Sequence, residues 1–177
     1  MDNIFWGLFI IAFSYPVVID FLYFEILPGF IGYIILAINF KKPSVQSSVF
    51  KKAFPFTIIS IIISAIFFVI GRSGFLGYFL WLENMLSLIY LCFSYITVLG
   101  ICNIEAKRDA DLKGKYLKIS CILMSLSQII VIFTFDFLIN NSLIILSSIN
   151  FLGFIFYIVF FVFLNIAKNK SEDFLVK

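Results

Sequence analysis

The chain has 177 residues, of which 63% are hydrophobic and 13% charged, with a net charge of +3. A soluble domain carries roughly 45–50% apolar and about 25% charged residues, and a fold this small has a large surface to cover with polar groups. The composition excludes an ordinary water-soluble globule, and so small a net charge gives no reason to expect a nucleic-acid partner.

The N-terminus, Met1-Asp2-Asn3, has no Lys or Arg, and no small-residue cleavage site follows it. A cleavable leader needs both, so the first apolar stretch is expected to stay as a span. Crossing a hydrocarbon core of about 30 Å takes roughly 20 helical residues. Charge-free runs over residues 3–19, 26–40, 53–71, 84–104, 119–135 and 137–167 mark out predicted spans over 4–19, 21–40, 53–71, 82–104, 119–138 and 143–167. The expected fold class is all-α: one polytopic transmembrane helical bundle of six spans.

The second segment carries a condition. Residues 26–40 alone are too few to cross at 1.5 Å per residue, so the helix must begin near Phe21 and continue through Glu25 and Pro28. The alternative is five spans plus one re-entrant segment starting at Pro28, because proline suits a first helical turn. Asn140-Asn141-Ser142 marks the turn before the last span.

Sidedness comes from the basic residues. Lys41, Lys42, Lys51 and Lys52 lie between spans two and three; Lys107, Arg108, Lys113, Lys115 and Lys118 lie between four and five; Lys168, Lys170 and Lys177 follow span six. Twelve of the 13 basic residues then share one side, with Arg72 opposite. Cytoplasmic loops carry the Lys/Arg excess, so both loops and the C-terminus are expected in the cytoplasm. Trp6, Tyr78 and Trp81 fall where interfacial aromatics belong. Within the second basic loop, Asp109–Lys113 and Asp111–Lys115 have the acid-before-base i,i+4 spacing that supports a helix.

Polar residues near the opposite ends of the spans form the candidate ligand or ion site: Glu25, Glu83, Asp136 and Asn150, with Asp20 and Arg72 nearby. Ionisable groups at membrane depth suggest function, although acids at the edge of a span are cheaply solvated. Glu25 leads, because Pro28 and Gly29 could bend the backbone around a cavity. Gln128 and Asn150 each fall about 10–12 Å below the outer turn at 1.5 Å per residue and could hydrogen-bond between helices five and six. Ser60 and Ser64, an i,i+4 pair, suit close helix packing.

Absent residues narrow the chemistry. The chain has no histidine, which excludes histidine metal sites, a Ser-His-Asp triad and histidine acid–base work within it. No phosphate-binding G-x-x-x-x-G-K-[ST] loop occurs. Cys92, Cys102 and Cys121 lack metal or redox spacing and read as small apolar side chains. No catalytic residue, metal or cofactor is expected.

The run Glu25-Ile26-Leu27-Pro28-Gly29-Phe30-Ile31-Gly32-Tyr33, followed by aliphatics and later by Phe50-Lys51-Lys52, resembles a group of small uncharacterised multi-pass membrane proteins of low-GC Gram-positive bacteria. That group carries an acid, then Leu-Pro, then Phe-Ile-Gly-Tyr early in the chain. The likeness covers roughly residues 20–55, and Gly29 stands where the group has an acid or polar residue. It implies a bacterial plasma membrane and brings no activity. In this motif Gly32 would let another helix approach, and Tyr33 could use its hydroxyl within the bundle. Two functions compete. One is a non-enzymatic accessory component that binds a membrane-protein partner or a second copy within the lipid bilayer. The other is a small transporter or substrate-binding subunit with an outward-facing acidic cavity.

Overall fold

The computed structural model describes residues 2–14, 16–19, 22–25, 28–41, 47–71, 79–108, 111–141 and 143–176; side chains are described for all of these except 2, 16–19, 22–25, 70, 71, 79–83, 108, 134–141, 143, 144, 146 and 172–176. The elements run α1 (Asp2–Ala12), β1 (Pro16–Ile19), β2 (Leu22–Glu25), α2 (Gly29–Lys41), α3 (Ser48–Gly71), α4 (Phe79–Arg108), α5 (Gly114–Asn141) and α6 (Leu143–Val176). The chain divides into two compact units, Met1–Ile104 and Glu105–Lys177.

Apart from one hairpin the described fold is helical. Four helices hold stretches long and apolar enough to cross a membrane: Ser48–Val69, Asn84–Lys107, Gly114–Phe133 and Ser147–Ser171. With no water to bond the backbone, a segment in lipid must close its own hydrogen bonds, and a helix does so. Helices α1 and α2 are apolar but short, at 11 and 13 residues. They reach only about 16 and 20 Å at 1.5 Å per residue.

The expected helix over residues 21–40 is corrected here. Leu22–Glu25 is a strand, paired antiparallel with Pro16–Ile19 from Pro16↔Glu25 to Ile19↔Leu22. Val17, Val18, Ile19, Tyr23 and Phe24 are the β-branched and aromatic types that strands favour. Proline also pushes the residue before it out of the helical region, so the helix starts after Pro28, whose carbonyl accepts from Ile31 N at 3.0 Å. The expected first span over 4–19 shortens for a related reason. Ser14 Oγ donates back to Ile11 O at 2.7 Å and closes α1 ahead of Pro16.

In the first unit, α1 packs on α2 and α2 on α3. The first contact depends on two glycines. A Cβ on Gly32 would sit 2.6 Å from Gly7 O, and one on Gly7 would sit 3.0 Å from Gly32 O. On α3, Thr57, Ser60 and Ser64 are buried along one face. Thr57 and Ser60 donate back to their own helix, to Phe54 O and Phe56 O, so the hydroxyls leave no unsatisfied proton. Ser47 is buried and caps α3, accepting from Val49 N at 3.3 Å.

Helix α4 meets this layer through rings. Tyr33 lies edge-on to Phe93, with centroids 5.4 Å apart. Phe50 stacks on Phe40 at 4.8 Å and covers Gly100, where a Cβ would overlap its ring. In the second unit, the contacts Tyr116–Phe163, Gly153 against Ser127 and Lys170–Asp111 make α5 and α6 an antiparallel pair. Leu117, Cys121 and Met124 on α5, and Phe160, Leu164 and Ala167 on α6, form buried stripes with four-then-three spacing, the signature of a helix face.

Phe50 is fully buried against Phe40 and cannot swing aside, so Gly100→Ala should destabilise the protein by about 1–3 kcal/mol through overpacking. Adding Phe50→Leu should recover part of that loss. Thermal unfolding in detergent measures both; a neutral Gly100→Ala would contradict the Phe50–Gly100 contact.

Candidate functional site

The best-defined polar structure among the described residues joins α4 to α5. The first N–H groups of a helix have no partner inside it, and here carboxylates meet the backbone on either side of that start. Glu105, in the last turns of α4, accepts through Oε1 from Leu112 N at 2.9 Å and Gly114 N at 3.4 Å. Asp111 Oδ1 accepts from Lys113 N at 3.3 Å. Lys113 holds φ at 61°, a left-handed conformation uncommon outside glycine. The amides on either side of it, Leu112 and Gly114, face one carboxylate.

Asp111 then draws in two cations. Lys113 Nζ lies 2.6 Å from Asp111 Oδ2, and Lys170 Nζ lies 3.2 Å from it. Lys170 also donates to the Asp111 carbonyl at 2.8 Å, pinning the loop to the end of α6. The hydrogen bond from Lys113, and next the one from Lys170, holds the Asp111 carboxyl down at about 2, and Asp111 in turn raises the Lys113 ammonium. Because the folded value lies below the ordinary one, this contribution is present above the ordinary carboxylate range and disappears only as pH falls through about 2. The groups are exposed, so the contribution is small.

This geometry corrects the expected Asp111–Lys115 pair. Residues 111–113 are not helical and α5 begins at Gly114, so the i,i+4 relation does not exist and Lys115 is left without Asp111. Asp109 lies outside the described residues.

The expected ligand site is placed only in part. Glu25 is in β2, Glu83 in α4 and Asp136 in α5, and their side chains lie outside the described residues, as do Asp20 and Arg72. Asn150 is exposed on α6 and Gln128 is half-buried on α5. No hydrogen bond joins these two among the described residues; the neighbour of Gln128 across the helix pair is Gly153, whose Cβ would lie 3.6 Å from its Nε2. Ser60 and Ser64 face inward, with Ser64 Oγ 3.4 Å from where a Gly29 Cβ would stand. No group of three or more Cys, Asp or Glu that could hold a metal occurs among the described residues.

A second polar feature lies deeper. The hydroxyls of Tyr33 on α2 and of Ser94 and Thr97 on α4 are buried and have no hydrogen-bond partner among the described residues. Ser94 and Thr97 stand three residues apart and so share a face of α4. Tyr33 is a position the sequence suggested; Ser94 and Thr97 carried no signal beyond being hydroxyls in an apolar run.

No family model matches the chain, and no curated protein or solved structure shows significant similarity to it.

Two outcomes follow from these geometries. Glu105→Ala, by orphaning two partly buried amides, should cost about 1–3 kcal/mol, whereas Glu105→Gln keeps an acceptor and should cost clearly less; chemical unfolding in detergent separates them. Tyr33→Phe removes a hydroxyl that has no partner among the described residues and keeps the ring. Its stability should equal or exceed the parent's, since a buried unpartnered polar group is itself a cost, and a Tm fall of several degrees would show that the hydroxyl is satisfied after all.

Proposed function

We propose that the chain is a multi-pass protein of a bacterial plasma membrane that works without catalysis, by binding other components within the bilayer. The carrying observation is the surface of its long helices. On α3 the exposed positions include Phe56, Ile59, Ile62, Ile66 and Val69, and on α6 Phe151, Phe154, Ile158 and Val162. Water rejects such a surface and lipid accepts it. The described acids support a binding role, because Glu105 and Asp111 hold the α4–α5 turn in shape. The basic loops and C-terminus face the cytoplasm in this reading, on the strength of the Lys/Arg distribution.

The unpartnered hydroxyls of Tyr33, Ser94 and Thr97 favour a second reading, a small transporter or substrate-binding subunit. Buried hydroxyls in an apolar helix layer are the groups a polar ligand would satisfy. That reading keeps the outward-facing acidic cavity expected from the sequence.

Alkaline carbonate should leave the protein in the membrane pellet. With the three native cysteines replaced, a membrane-impermeant maleimide should label Gly74→Cys in intact cells and Lys115→Cys only after lysis. The reverse pattern would invert the topology. Co-purification after mild solubilisation should yield a stoichiometric membrane partner or a second copy; a monodisperse monomer with nothing attached would count against the binding role and favour the transporter.

A further inference from the structure

One exposed stripe of α5 changes character along its length. It starts with Lys115 and Lys118, both exposed, and continues through Ile119, Ile122, Leu126 and Phe133. Lys115, Ile119, Ile122, Leu126 and Phe133 follow at spacings of four, three, four and seven, and Lys118 stands four before Ile122, so all share one helix face. From Ile119 to Phe133 the apolar part runs about 21 Å at 1.5 Å per residue, more than the ~15 Å half-thickness of a hydrocarbon core.

The described acids of the preceding turn are already engaged: Asp111 by Lys113 and Lys170, Glu105 by the amides of Leu112 and Gly114. Neither Lys115 nor Lys118 has an ion pair among the described residues. Tyr116, between them, is half exposed and stacks on Phe163 of α6 at 5.6 Å. That stacking fixes the first turn of α5 against its neighbour, so the ammonium groups spring from an anchored segment.

The geometry points to a binding site for an acidic phospholipid, with its phosphate at Lys115 and Lys118 and one acyl chain along Ile119, Ile122 and Leu126. A cationic turn followed by an unbroken apolar face matches an anionic head joined to a hydrocarbon tail. A soluble acidic protein would match only the first turn. Lysine stems lie along apolar surface while their charges reach the interface, which suits this position. The inference rests on the membrane placement of α5 proposed above.

The test uses the full chain, delipidated in detergent and titrated by native mass spectrometry with phosphatidylglycerol or phosphatidylcholine of the same acyl chains. The parent should prefer phosphatidylglycerol, and the preference should fall roughly fivefold for each of Lys115→Gln and Lys118→Gln, as expected for a basic residue at an anionic surface. Lys115→Arg with Lys118→Arg should retain it. An unchanged preference in the double Gln variant, with the same Tm as the parent, overturns the site. Equal stabilisation by inorganic phosphate overturns the lipid assignment in favour of a free-anion site, and binding of a poly-glutamate peptide in place of phosphatidylglycerol overturns it in favour of an acidic protein. Release of the protein by alkaline carbonate overturns the membrane placement itself, whereas retention without lipid preference overturns only the site.

Discussion

A backbone surrounded by apolar side chains has no water to satisfy its N–H and C=O groups, so it must bond them internally. With 63% of its residues hydrophobic, this chain meets that constraint in its described elements. It commits long runs to helix and pairs Pro16–Ile19 with Leu22–Glu25. The constraint is hardest to meet where helices begin and end, and several described polar side chains are employed there. Ser14 closes α1, Ser47 opens α3, and Glu105 serves the amides ahead of α5. These three residues act as backbone partners.

The same surroundings govern how helices meet. Lipid offers little hydrophobic reward for pairing one apolar helix with another, so contact energy has to come from close packing. Gly7 and Gly32 let α1 and α2 approach to backbone distance, and Gly100 receives the Phe50 ring. Buried serines and threonines on α3 keep helix contacts narrow while bonding their own carbonyls. Tyr33, Ser94 and Thr97 depart from this economy, since their hydroxyls are buried without partners among the described residues. A departure from full satisfaction marks the part of the first unit where a ligand or another helix would gain most by bonding.

The long helices were legible because charge-free runs and helix length are both local properties. Their ends were less so. Helix α3 starts at Ser48 and includes Lys51 and Lys52, and α6 continues to Val176, because helical hydrogen bonding continues past the point where hydropathy falls. The hairpin was missed because hydropathy alone does not separate a strand from a helix. The signal was in residue type, with Val17-Val18-Ile19 and Tyr23-Phe24 set between Pro16 and Pro28. The Lys170–Asp111 pair joins residues 59 apart and could not be read from spacing at all. A local rule offered Asp111–Lys115 instead, and failed once Gly114 became the first residue of α5. Of the candidate ligand residues, Asn150 is exposed on α6, and the side chains of Glu25, Glu83 and Asp136 lie outside the described residues.

The central claim is that the exposed faces of the long helices meet lipid. Nitroxide labels placed singly at positions 56, 59, 62, 66 and 69 of α3, in protein reconstituted into vesicles, test it most directly. If α3 crosses a bilayer, collision with molecular oxygen should rise toward position 62 and collision with a water-soluble nickel chelate should fall there, giving one smooth depth profile. High nickel accessibility at positions 59, 62 and 66 would place that face in water and contradict the account.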